Sequence, residues 1–321
     1  MRAYIIRRIL LIIPTLFLVS IIVFLSVRFI PGDVIDVMES MTVVAGGTGE
    51  GFDREALERM LGLDVPVWVQ YGRWMGGIFL HGSLGTSLMG DWPVEKGIIE
   101  RLPVTLELGI LAIVIGLVIA LPVGIYSAVR QDSVADYAGR SLAILGLAAP
   151  NFWLALMVMI FPAIWWGWSP PMRWVPLSED PLGNLGVLLI PSLILGTAAS
   201  ASTMRMMRTT MLEVLRLDYV RTAWSKGLTE RVVVVRHAIK NALIPVVTLI
   251  GMQLPLLIGG SVIMEHIFNL PGIGRLLLNA LQLRDYTVVS GINLFYASIV
   301  MLSILLTDLV YPYLDPRVRY R

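Results

Sequence analysis

Six long apolar runs recur along the chain, at residues 9–29, 104–129, 142–166, 185–204, 242–264 and 288–311. Each supplies the roughly 20 apolar residues that an α-helix needs to cross a hydrocarbon core about 30 Å thick. The pattern therefore predicts an all-α membrane protein with six transmembrane helices. The first run follows Arg2, Arg7 and Arg8, the charge arrangement of a secretory signal. It is longer than a signal's apolar core and ends in Val27-Arg28-Phe29-Ile30-Pro31-Gly32-Asp33 with no small-x-small cleavage site, which predicts a retained helix.

Residues 31–103 mix helical patches with Gly and Pro punctuation and read as a small extracytoplasmic subdomain. Within it, Ala45-Gly46-Gly47-Thr48-Gly49-Glu50-Gly51 is expected as a loop, Asp53 as the cap of a helix over 54–61 that Gly62 stops, and 67–79 as a second helix. Trp68, Tyr71 and Trp74 cluster on that second helix, as expected either at a membrane interface or in the packing of the subdomain. The expected division is a first transmembrane helix at 1–30, the subdomain at 31–103, a five-helix core at 104–311 that includes a cytoplasmic loop at 205–241, and a cytoplasmic tail at 312–321.

Composition agrees with a bilayer as solvent. Hydrophobic residues make up 56% of the chain and charged residues 15%, with a mean hydropathy of +0.77, which excludes an ordinary water-soluble domain. There is no cysteine, hence no disulfide framework and no thiolate site. Net charge is only +2, but its distribution sets orientation. With the N-terminus inside, sixteen of the 25 Lys and Arg residues fall in inner segments, eight of them between Arg205 and Lys240. The long outer segment instead carries eleven acidic residues from Asp33 to Glu100. The expectation is a multi-pass protein of the cell inner membrane with both termini cytoplasmic.

Most of the runs contain Pro or Gly, among them Pro14, Pro122, Pro150, Pro162, Pro191, Gly196, Gly251, Pro255, Gly259 and Gly260, which predicts broken or closely packed helices. Glu107, Glu265 and Asp308 stand near predicted helix ends, where water or headgroups would solvate them, and are expected to be structural. Trp165, Trp166, Trp168 and Trp174 bracket an outer loop and read as an aromatic belt. The sequence has no phosphate-binding G-x-x-x-x-G-K-[ST] loop, no H-E-x-x-H and no G-x-S-x-G, and His81, His237 and His266 lie on separate segments. Neither ATP hydrolysis by this chain nor metal or triad chemistry is expected.

The inner loop from Leu217 to Glu230 is the most informative stretch. Its pattern predicts two short helices joined by a turn: Asp218 as N-cap, Lys226 in the last turn, Gly227 just beyond it where positive φ is cheap, and Thr229 as the next cap. Leu228 and Val233 are spaced for a hydrophobic staple. A rigid, capped helix exposing Tyr219, Val220, Ala223 and Trp224 among basic residues suits docking into a partner's groove. A generic positively charged inner loop accounts for the same residues equally well. Nucleic acid is the less natural partner.

This loop also resembles the cytoplasmic EAA loop of ABC importer permeases, specifically the dipeptide/oligopeptide branch. The matching residues are Asp218-Tyr219-Val220-Arg221-Thr222-Ala223, Lys226-Gly227-Leu228, Arg236-His237-Ala238 and Asn241-Ala242-Leu243-Ile244-Pro245. Further matches run along essentially the whole chain: Arg7-Arg8 with Pro14, Pro31-Gly32-Asp33, Leu61-Gly62-Leu63-Asp64 with Gln70-Tyr71, Leu84-Gly85-Thr86-Ser87, Leu270-Pro271-Gly272-Ile273-Gly274 and Arg284-Asp285-Tyr286. Trp224-Ser225 and His81-Gly82-Ser83 depart from the common pattern.

The resemblance implies a type I ABC importer permease fold and a hetero-oligomer. In it a second homologous permease would share the pathway, two ATP-binding subunits would carry ATP and Mg, and an extracytoplasmic binding protein would deliver a peptide substrate. Asp218, Tyr219, Val220, Arg221, Thr222, Ala223, Lys226 and Gly227 would form the ATPase-coupling helix. Nickel chelates or oligosaccharides are the alternative cargoes. A self-sufficient channel or secondary transporter is the competing class, for which paired repeats and a midplane ionisable cluster would be expected.

Overall fold

The computed structural model describes residues 2–29, 32–44 and 53–314. The glycine-rich loop expected at 45–51, Pro31 and the tail from 315 lie outside them. In chain order the helices are α1 (Arg2–Arg28), α2 (Val34–Val44), α3 (Arg54–Met60), α4 (Val67–His81), α5 (Val94–Val129), α6 (Val134–Ala148), α7 (Asn151–Trp166), α8 (Pro181–Leu215), α9 (Asp218–Ser225), α10 (Glu230–Val232), which passes through a π-helical turn (Val233–Ala238) into α11 (Ile239–Ile267), then α12 (Ile273–Gln282) and α13 (Tyr286–Leu314). The chain folds into two compact units, Arg2–Val104 with Pro271–Met301, and Thr105–Leu270 with α13 from Leu302 onward.

In the first unit local capping chemistry sets the short helices. Asp33 and Asp36 cap α2 reciprocally, each backbone N–H donating to the other's carboxylate at 2.8 Å. Arg54 ties this cap to α3 through Asp33, Asp36 (2.8 Å) and Glu58 (3.1 Å), and its hydrogen bond holds the Asp36 carboxyl below the usual carboxylate range. Asp53 accepts from the Ala56 N–H at 3.0 Å, as its capping role predicts. Gly62 follows α3 at φ +67°, and α4 ends two residues later than predicted at Gly82, φ +65°. The aromatic cluster divides. Tyr71 and Trp74 pack on Phe24 of α1, with centroids 5.2 and 5.5 Å away, while Trp68 is 76% exposed.

Helices α5 and α8, 36 and 35 residues long, reach about 50 Å at 1.5 Å per residue and overrun a hydrocarbon core of about 30 Å. Asp180 accepts from Gly183 at the start of α8 (2.9 Å), and Pro181 takes the position where a missing N–H costs nothing. α5 and α8 touch through small residues: a Cβ on Gly196 would lie 2.6 Å from the Ala112 carbonyl, and one on Gly124 would lie 2.9 Å from that of Met204. Gly251 lets Thr307 of α13 approach α11 in the same way. Gly259 has open space beside it, and the surroundings of Gly260 are not among those described.

The run at 142–166 is not one straight helix. Ala149 and Pro150 are extended (ψ 122° and 135°), and α6 and α7 meet there at 90°, because the proline ring disfavours helical geometry in the residue before it. The pair still returns the chain across the bundle. Glu107 accepts from Asn184 at 2.9 Å near the start of α8, and Arg130 pairs with Glu230 at 3.2 Å beyond its end, so α5 and α8 run the same way. Only a traverse by α6–α7 between them satisfies both contacts.

Candidate functional site

The end of α8, the helix α9, and α10 with its π-turn surround one apolar cluster that includes Met207, Met211 and Val214 of α8, Val220 and Ala223 of α9, and Val233 of the π-turn. Val220 and Ala223 lie one helical turn apart and are 0% and 5% exposed. They are the face by which α9 is held, a correction to the expectation that they are displayed. Burying Val220 contributes on the order of 2 kcal/mol. The outward face carries Asp218, Tyr219, Arg221, Thr222 and Trp224, with Lys226 and Gly227 exposed in the turn that follows.

The caps are also shifted by one residue from the sequence expectation. Leu217 is the N-cap and Asp218 the first helical residue, with no side-chain cap bond. The Asp218 carboxylate lies 3.7 Å from Arg221 instead, and at the first turn it still complements the helix dipole. Lys226 is the C-cap, and Gly227 donates to the Trp224 carbonyl at 2.9 Å with φ +77°. Thr229 stands at the next N-cap without a side-chain bond. Leu228 and Val233 pack into the same cluster, as a staple would.

Polar ties fix this platform to the long helices. The Tyr219 hydroxyl accepts from Asn241 Nδ2 at 2.6 Å and donates to the His237 carbonyl at 3.3 Å. Residues of three motif segments quoted for the resemblance thus meet at one phenol. Thr210 Oγ1 donates to the Ala242 carbonyl at 2.9 Å. Arg208 donates to both carboxylate oxygens of Asp136, at 2.9 and 2.8 Å, and Asp136 is 0% exposed. The Asp136–Arg208 pair was not singled out from the sequence. Ser133 three residues ahead of an acid was its one legible signal, a capping pattern.

Of the three suspect acids, Glu265 is corrected. It is 0% exposed, and Thr105 and Ser261 donate to its Oε1 at 2.8 and 2.9 Å. Glu265 stands in the last turn of α11, near a helix end as expected, but it is enclosed there rather than solvated. Glu107 is half-buried against Asn184, and the side chain of Asp308 lies outside the described residues. Among the described residues no group of three His, Asp or Glu is placed to hold a metal.

Three other motif segments meet in the first unit. Gly32, at φ +84°, presents its carbonyl to the Tyr286 hydroxyl (3.1 Å) and Arg284 Nη1 (3.4 Å). Ser87 donates to buried Asp285 at 2.6 Å, whose other oxygen caps α13 through the Val288 N–H at 3.2 Å. A Cβ on Gly32 would lie 3.2 Å from the Arg284 guanidinium carbon, the end of a flexible side chain that can shift, so it is the backbone angle that calls for glycine there.

A peptide transport system permease protein of Brucella abortus (strain 2308) is 42% identical over 323 residues, covering 100% of both chains. The dipeptide transport system permease protein of Escherichia coli (strain K12) is 37% identical over 345 residues, again covering 100% of both. In structure the chain is similar to one in an amino acid ABC transporter (TM-score 0.53, 16% identity, 68% of this chain and 94% of that one). It is also similar to one in the MetNI methionine ABC transporter (TM-score 0.50, 17% identity, 68% and 96%). These likenesses show the type I ABC permease fold. Residues 120–320 match the family described as binding-protein-dependent transport system inner membrane component and residues 1–109 match its N-terminal region, and the chain belongs to that family of multi-pass inner-membrane permease components.

Proposed function

We propose that this chain is one of two homologous permease subunits that together line the path of di- or oligopeptides in an ATP-driven importer. Full-length relatedness to permeases named for peptide and dipeptide transport carries this reading. Two ATPase subunits would bind ATP and Mg, and an extracytoplasmic binding protein would deliver the cargo. The α9 platform would be the point of coupling: Val220 and Ala223 anchor it, while Asp218, Tyr219, Arg221, Thr222, Lys226 and Gly227 are available to an ATPase groove. Because Tyr219 bonds to the π-turn and α11, a push on α9 would move the long helices as a rigid-body switch.

The test is uptake into proteoliposomes holding the purified complex and its binding protein. Labelled dipeptides should accumulate only with ATP. Accumulation of a nickel chelate or an oligosaccharide in place of peptides would replace the cargo. Uptake by this chain alone would favour a self-sufficient transporter.

A further inference from the structure

The first unit contains a cavity of about 400 Å³ that none of the above uses. Arg28, Arg59 and Arg73 contribute to its wall, and among the described residues no Asp or Glu does. The Arg28 guanidinium lies 3.5 Å above the Phe24 ring and donates to Gln70 Oε1 and the Phe24 carbonyl, neutral acceptors, and it pairs with no carboxylate among the described residues. Arg73 has no hydrogen-bond or ion-pair partner among the described residues, and the carboxylate paired with Arg59, that of Glu55, stands 3.9 Å away. Ser290 also lines the cavity. It is 1% exposed, and its hydroxyl has no hydrogen-bond partner among the described residues. An unpartnered buried hydroxyl is costly unless a ligand completes it. Three guanidiniums and a hydroxyl around one space match the several acceptor oxygens of a phosphate.

The depth of the site identifies the source of that phosphate. Arg28 is the last residue of the membrane span of α1, where headgroups lie. The adjoining α4 exposes Trp68, Phe79 and Leu80 (76%, 75% and 80%), as a helix lying in the interface does. A wholly apolar groove of about 290 Å³ runs between α1 and α4 and shares Phe24 with the cavity. We infer that the cavity holds the phosphodiester headgroup of an anionic phospholipid, with an acyl chain passing Phe24 into the groove. A tightly held lipid would fix α4 and α13 against α1 at this level of the membrane.

The test is native mass spectrometry of the protein, purified with the subunits it retains in mild detergent and titrated with phosphatidylglycerol. The wild type should keep one such lipid that Arg73→Gln and Ser290→Ala each bind on the order of tenfold more weakly. Neither side chain holds a partner among the described residues, so both variants should assemble normally. Phosphatidylcholine should bind more weakly, because its choline places a cation against the arginines. Equal retention by the wild type and both variants would overturn the site. Displacement by inorganic phosphate would reassign it to a soluble anion, and displacement by a dipeptide to cargo; either would overturn the lipid.

Discussion

At φ +77° Gly227 occupies backbone space in which a β-branched side chain is strained, although nothing lies within 4 Å of where a Cβ would stand. Gly227→Val therefore tests the turn angle without a steric clash, at a cost of about 1–3 kcal/mol. It should leave the complex in the membrane while peptide uptake falls severely, and Gly227→Asn, which tolerates positive φ, should recover most of the loss. Unchanged uptake in the valine variant would remove the turn from the coupling scheme. The Asp136–Arg208 pair makes a different kind of prediction. The carboxylate is fully enclosed and the Arg208 side chain is 17% exposed, so removing one partner leaves a poorly solvated charge. Asp136→Asn should cost about 3–5 kcal/mol, read as a lower midpoint in thermal unfolding of the purified complex. Adding Arg208→Gln should cost less than the sum of the two single changes. Additive losses would mean that the two side chains act independently.

Helix α9 has eight residues, too few to be stable alone in water, so its existence depends on Val220 and Ala223 reaching the cluster under it. Val220→Asp should free the element, with faster tryptic cleavage after Arg221 and Lys226 in inside-out vesicles. Tyr219→Phe removes one partly exposed hydroxyl, costs about 1 kcal/mol and should leave cleavage slow. If both variants were cleaved like the wild type, α9 would be held by something other than its apolar face. The sequence made the long helices legible because an apolar window of membrane length has few other readings. It did not make the bend at Pro150 legible, since Pro162, Pro191, Pro245 and Pro255 all remain inside helices and a proline alone does not say which kind it is. The loop read well down to its turn glycine. The inward direction of Val220 and Ala223 was hidden, because it depends on partners on α8 and the π-turn that local spacing does not show. Glu265 was misplaced for the same reason: its donor Thr105 is 160 residues away in sequence.

For the whole molecule, the number of crossings decides which surface α9 offers to which compartment. Among the described residues five helices are long and apolar enough to span, and the bent α6–α7 pair makes a sixth if it counts as one crossing. Were that pair re-entrant, the Leu217–Glu230 loop would emerge on the same side as α3, and the eight basic residues from Arg205 to Lys240 would lie outside, against the charge rule. The parallel course of α5 and α8, fixed by Glu107–Asn184 at one end and Arg130–Glu230 at the other, requires the sixth crossing. The chain contains no cysteine, so single thiols report their side directly. Glu55→Cys, at a side chain 87% exposed on α3, and Ser225→Cys, at the exposed end of α9, disturb little packing. A membrane-impermeant maleimide should label the first in intact spheroplasts and the second only in inverted vesicles. Labelling of both from the outside would mean five crossings and would remove α9 from the reach of any cytoplasmic ATPase. Opposite sides with Ser225→Cys outside would invert the molecule. The expected pattern places α9 where ATP is available, a condition that the proposed coupling must meet before any effect of Gly227 or Val220 on uptake can be attributed to it.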